Sequence, residues 1–202
     1  MDSNHWNDVY QRKSDKEVSW FQDVPADSLQ LIDELNLSLE DPIIDIGAGN
    51  SRLVDNLLDH GFHHLSILDI SAVANEKARQ RLGDKAKSVK FMTSDVTKFV
   101  PTEKYKLWHD RATFHFLTTK EKVEAYLDVA NRAIANDGYL IVSTFSKTGP
   151  EKCSGLPIKQ YSELDLKLLF EKYFTHIRCL ENTHRTPSGA TQDFIYCGFK
   201  KR

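Results

Sequence analysis

Apolar residues along this chain fall into two alternating rhythms. Short runs such as Ile43-Ile44-Asp45-Ile46, Leu65–Asp69 and Val89–Thr93 are apolar at most positions, as strands flanked by helices on both faces tend to be. Between them, Leu53, Leu57 and Leu58, and later Val123, Tyr126, Leu127, Ala130 and Ile134, recur at helical spacing. The pattern predicts strands over Ile43–Ile46, Leu65–Asp69, Val89–Thr93, Lys106–Asp110 and Tyr139–Phe145. It predicts helices near Asn50–His60, Ala72–Leu82 and Lys120–Ala135, the last closed by Asn136-Asp137-Gly138. A polar loop over Ser146–Lys159 follows, then a helix near Ser162–Tyr173 and strands near Thr175–Glu181 and Gln192–Lys200.

Strand–helix alternation of this kind builds right-handed βαβ units. The final two strands are separated only by a short turn around Pro187-Ser188-Gly189, too short for a helical crossover, so they pair antiparallel. The expected fold is therefore α/β: a doubly wound, mostly parallel, Rossmann-like seven-stranded sheet with an antiparallel C-terminal strand. One domain, 1–202, is expected. Residues 1–40 form a helical cover with Trp6, Tyr10, Trp20 and Phe21, and 41–202 form the core.

Composition narrows the partners. A net charge of −2 gives no electrostatic case for nucleic acid. No run approaches the roughly 18 apolar residues of a membrane span. The start, "MDSNHWNDVY", lacks a basic n-region and an apolar h-region, so no secretory signal is expected. Cys153, Cys179 and Cys197 are odd in number and form no CxxC pair. Neither a disulfide framework nor a cysteine zinc site is expected, and reduced thiols in a cytoplasm fit best. Nor does the spacing of His115, Cys153 and His184 carry a metal signature.

The candidate chemistry begins after the first strand, at Gly47-Ala48-Gly49-Asn50-Ser51. Glycines there permit a tight turn and close approach of a ligand to the backbone. A dinucleotide turn would place a third glycine where Arg52 stands, and the phosphate-loop pattern is absent. Three acids instead mark strand ends: Asp69, Asp95 and Asp110. Carboxylates crowded around one turn would repel a pyrophosphate. They suit a cationic nucleoside without phosphate, and S-adenosylmethionine is one. A nicotinamide oxidoreductase and a binding-only module are the competing readings. Arg52 and the carboxylates weigh against the first, and the histidine-rich "HDRATFHF" against the second.

At these points the chain resembles the class I S-adenosylmethionine-dependent methyltransferases. "DIGAGNS" is similar to their first motif, "LDIS" to the ribose-binding acid, "SDV" to the adenine-edge motif and "NDGYLIVSTF" to the fifth-strand motif. The resemblance implies that Asp45, Gly47 and Gly49 border the methionine portion, with Ala48 in the turn. It implies that Asp69 binds the ribose with Ile70 beside it, and that Asp95 accepts from the adenine amine with Val96 against the ring. Asp110 is counted with this cofactor set. A narrower resemblance joins "HWNDVY", "EVSWF" and "DRATFHFL" to protein-lysine methyltransferases acting on translation factors. "GPEKCSGLP" and "HRTPSGATQDF" are similar to segments of compact bacterial methyltransferases.

Methyl transfer from a sulfonium needs alignment more than acid–base help. The candidates for positioning or deprotonation are Asp110, His115 and His184, expected to converge past the ends of the fourth and fifth strands near Cys153. Asp110-Arg111 reads equally well as an ion pair. The acceptor is expected to be a small molecule, with a protein lysine as the alternative.

Overall fold

A computed structural model describes residues 2–202. The main sheet has seven strands in the order β3-β2-β1-β4-β5-β9-β8. These are β1 (Ile43–Ile46), β2 (Leu65–Asp69), β3 (Val89–Thr93), β4 (Tyr105–Arg111), β5 (Ile134–Phe145), β8 (Phe174–Arg185) and β9 (Thr191–Lys201). β1 to β5 are mutually parallel. Only β9 runs against its neighbours, since it pairs antiparallel with both β5 and β8. The helices are α1 (Ser3–Arg12), α2 (Ala26–Asp33), α3 (Leu53–Asp59), α4 (Ala72–Leu82), α5 (Lys120–Ala133) and α6 (Glu163–Phe170). The expected Rossmann-like methyltransferase architecture, with its antiparallel C-terminal strand, is the observed one. Among the described residues no helix is long and apolar enough to cross a membrane.

Alternating strand residues feed two cores. Ile44, Ile46 and Trp108 pack with Tyr126 of α5 and Phe170 of α6. Ile43, Ile67 and Leu107 face the other way, toward Leu53 of α3, Ala74 of α4 and Ile32 of α2. Trp6 and Tyr10 of α1 belong to that second core, so the N-terminal segment is packed cover over one face of the sheet.

Three details differ from the pattern reading. Helix α5 ends at Ala133 and β5 starts at once, because Ile134 already pairs with Tyr105. Residues 136–138 are then a bulge within the strand, with Asp137 at φ 58° and a register shift between Tyr105 and Leu107. The Ser146–Lys159 loop contains a small hairpin of β6 (Lys152–Cys153) and β7 (Leu156–Pro157). Finally, the expectation of three reduced thiols is corrected: Cys179 and Cys197 face each other across β8 and β9 and are joined, leaving Cys153 free and buried. Counting cysteines along the chain could not show this, since the pair is made by strand register.

Candidate active site

The turn after β1 is pinned to the end of β2. Gly47 and Ala48 N–H groups donate to Leu68 carbonyl at 2.7 and 3.4 Å. Gly47 (φ 58°) and Gly49 (φ 55°) adopt the left-handed conformation that side chains resist. A Cβ on Gly47 would run into Thr113, and one on Gly49 into the Tyr10 hydroxyl. Asp69 closes the cradle. Its Oδ2 accepts from Gly49 N–H and its Oδ1 from Ser71 N–H, both at 2.7 Å. Each carboxylate oxygen has two lone pairs, so capacity remains for ligand hydroxyls. Burial pushes the Asp69 carboxyl up to about 6 despite those two donors, which pull the other way.

Beyond the turn lies a partly enclosed cavity of about 60 Å³. Gly47, Asp69, Ile70 and Val96 line one side of it. Trp6, Tyr10, Trp20 and Phe116 roof it, and Arg111, Thr113 and Cys153 border it. The roof is an aromatic cluster: Trp6 meets Phe116 at 5.1 Å and Trp20 at 6.1 Å between ring centroids, both edge to face.

Several attachments hold this cover down. Asp15 binds Arg52 at 3.1 Å and also Asn50 of the glycine turn. Ser71 hydroxyl donates to Asn7 at 2.7 Å, and Arg111 Nη1 to Trp20 carbonyl at 3.0 Å. His184 adds another: its Nε2 meets Ser19 carbonyl at 2.7 Å, and Nδ1 faces Gln22 Nε2 at 3.3 Å. A neutral ring donating from Nε2 and accepting at Nδ1 satisfies both.

The expected residues divide accordingly. Gly47, Asp69, Ile70 and Val96 reach the cavity. Ala48 is buried in the turn, and Gly49 is covered by Tyr10. Asp95 stands beside the wall formed by Ser94 and Val96. Its Oδ1 accepts from Thr97 N–H and hydroxyl, capping a short helical turn. Asp45 is not among the cavity's lining residues: its Oδ1 meets His109 Nδ1 at 2.7 Å, and His109 Nε2 meets Ser28 of α2 at 2.9 Å. That buried chain ties the cover to the sheet.

The convergence expected of Asp110, His115 and His184 is not observed. Asp110 is fully buried; Tyr126 hydroxyl donates to its Oδ2 at 2.8 Å, and the N–H groups of Thr113 and Phe114 donate to Oδ1. Burial pushes its carboxyl up to about 6, against the pull of those donors. No Asp110–Arg111 ion pair forms among the described residues, because adjacent strand residues point to opposite faces. His115 is also fully buried, its Nδ1 accepting weakly from Phe145 N–H at 3.4 Å and its Nε2 without a partner. Burial holds its ring down at about 3, so it is neutral. His184 is occupied by the cover.

The residues that sequence reasoning undervalued are Arg111, Thr113 and Cys153. Strand parity could have found Arg111, since His109 and Arg111 share the cover side while Asp110 faces the other core. Thr113 meets Gly47 only through the parallel pairing of β1 and β4.

Residues 43–138 match the family described as "Methyltransferase domain". Over that segment the chain carries a methyltransferase domain. It is 26% identical over 145 residues to a Drosophila melanogaster eEF1A lysine and N-terminal methyltransferase homolog, covering 67% of this chain and 21% of that protein. The chain thus spans about a fifth of that relative's length. Among solved structures, the N-methyltransferase NodS of Bradyrhizobium japonicum WM9, in complex with S-adenosyl-L-homocysteine, superposes with a TM-score of 0.72 at 16% identity, covering 98% of each chain. The Burkholderia thailandensis 1,6-didemethyltoxoflavin-N1-methyltransferase superposes with a TM-score of 0.68 at 17% identity, covering 98% of this chain and 83% of that one. At such identities the structural likeness of this methyltransferase domain speaks for fold.

Proposed function

We propose that this protein transfers the methyl group of S-adenosylmethionine to a small-molecule nucleophile, with cover and core acting as one catalytic domain. The observation that carries the reading is the roofed cavity: a carboxylate and a glycine turn on one side, an aromatic lid on the other. A cytoplasmic setting goes with it, since the donor is an intracellular metabolite.

The residues fit the donor. Asp69 keeps lone pairs for ribose hydroxyls, Ile70 and Val96 offer apolar walls, and the faces of Trp6, Tyr10 and Trp20 suit a cation. When bound, S-adenosylmethionine supplies an electrophilic methyl carbon on sulfur. The chain then has to hold the acceptor in line and keep water out, which the lid does. Apart from Asp69, none of its cavity-lining groups is suited to act as a base near neutral pH. Burial raises the Tyr10 hydroxyl well above its ordinary range, so it stays protonated and can donate. Burial likewise pushes the Cys153 thiol up to about 11, which keeps it from competing as a nucleophile. Asp69 is committed to the donor. The acceptor must therefore bring its own available lone pair, as a thiolate or an unprotonated nitrogen does.

A lysine side chain is the second reading, favoured by the similarity to the Drosophila melanogaster homolog. Incubation with methyl-labelled donor and either a metabolite extract or lysate protein separates the two. Label in small molecules supports the first reading; label retained on a protein band supports the second and overturns the first.

A further inference from the structure

Far from the cavity, the β8–β9 edge gathers a second set of reactive side chains. Cys179 of β8 sits opposite Cys197 of β9. His176 Nε2 lies 3.3 Å from Cys179 Sγ, and the ligand atoms of all three residues lie within 4.8 Å of one another. Glu163 of α6 brings a carboxylate oxygen to 3.8 Å from the same His176 nitrogen. In a regular strand, residues three apart project from opposite faces. Here the register runs His176↔Phe199, Arg178↔Gly198, Cys179↔Cys197, so Ile177 is an extra residue on β8. That bulge reverses the parity and turns His176 onto the face of Cys179. Bulges commonly serve to re-aim a side chain in this way.

We propose that Cys179, Cys197 and His176 form a thiol-gated site for a thiophilic divalent cation of the Zn²⁺ class, with Glu163 or water completing a tetrahedron. Two sulfurs and an imidazole are the donor set that such ions select. Bond lengths of about 2.3 Å to sulfur and about 2.0–2.1 Å to nitrogen place neighbouring donor atoms of a tetrahedron roughly 3.5 Å apart, close to the His176–Cys179 separation. Cys197 is buried while His176 and Cys179 are partly open, which gives an ion a way in.

The disulfide is the closed form of the site. An external reductant, a dithiol or a phosphine, delivers two electrons; with two protons taken up, the S–S bond becomes two thiols and the reductant is oxidised. A divalent cation then displaces both thiol protons as two thiolates bind it. In the oxidised chain neither sulfur can become a thiolate, so the ion is excluded. The site therefore responds to redox poise without any residue of the donor cavity.

The test uses the full chain, freed of metal by chelation, with Co²⁺ as the probe. After phosphine reduction, titration should give thiolate-to-cobalt charge-transfer absorption saturating at about one equivalent and bleached by Zn²⁺. The oxidised chain should give none. Cys179→Ser and Cys197→Ser should each abolish the charge-transfer band, and His176→Ala should weaken binding about tenfold or more. Cys179→Ser, at the more open position, keeps the test available if Cys197→Ser does not fold; circular dichroism reports which variants are native. A reduced native protein without the band, or a band that survives either cysteine substitution, overturns the proposal.

Discussion

The two halves of the sheet treat their strand-end polar groups in opposite ways. At the ends of β1 and β2, Gly47 and Asp69 border open space, and Asp69 holds the turn while keeping lone pairs for a ligand. At the ends of β4 and β5, Asp110 and His115 are fully buried: Asp110 holds the backbone of Thr113 and Phe114, and His115 takes a weak bond from Phe145. Tyr126 links the first of these to Trp108, whose Nε1 donates to the Tyr126 hydroxyl at 2.8 Å while that hydroxyl donates to Asp110. One half is thus built to meet a ligand, and the other to hold a floor beneath it. Both acids hold backbone N–H groups, so the difference lies in what covers them: Asp69 borders the cavity, whereas Asp110 is enclosed and also bound by Tyr126.

Substitutions can break this contrast. Gly47→Val should have the largest effect: it forces a β-branched residue into the left-handed region, a strain of about 1–3 kcal/mol, and collides with Thr113. Donor-induced thermal stabilisation should disappear, a loss on the order of a hundredfold or about 3 kcal/mol in affinity. Asp69→Ala should come next, costing roughly 1.5–3 kcal/mol of donor binding as lost hydrogen bonds to a charged group, while the folded content seen by circular dichroism persists. Burial places the Asp69 carboxyl at about 6, and donor hydroxyls favour its ionised form. Wild-type affinity should therefore fall as pH drops through 6, by at most about tenfold per unit.

On the other half the readout is stability. Tyr126→Phe strips Asp110 of a donor and Trp108 of an acceptor in a fully buried network. It should lower unfolding free energy by about 1–3 kcal/mol with donor affinity unchanged. His115→Leu sharpens the contrast through pH. Burial holds the folded ring at about 3, below its ordinary value near 6.5. The unfolded chain therefore takes up the proton first, and the wild type loses stability through this residue as pH falls below about 6.5. Denaturant titrations should show the variant gaining on wild type by up to about 1.4 kcal/mol per unit on acidification. Smallest of all, His184→Ala should loosen the cover and change donor affinity only a few-fold.

What could be read along the chain follows the same division. The glycine turn, Asp69 and Val96 are features of short contiguous segments, so their spacing carried their placement. The register of β1 against β4 set Thr113 over Gly47, and the β8–β9 register joined Cys179 to Cys197; neither is visible from spacing. Asp110 looked functional because it ends a strand, as Asp69 does. Only the neighbouring Tyr126, sixteen residues away on α5, reveals that its carboxylate is spent on the scaffold. Residues 136–138 predict a helix end for a similar reason: the same Asn-Asp-Gly residues that stop a helix also permit a kink inside a strand.

Calorimetric titration of S-adenosylmethionine into wild type, Asp69→Ala and His115→Leu at neutral pH tests the central claim most directly. The account predicts saturable binding to wild type, a loss of about tenfold or more in Asp69→Ala, and near-wild-type affinity in His115→Leu. Binding that is indifferent to Asp69 but lost with His115, or heat from NADH in place of S-adenosylmethionine, would contradict it.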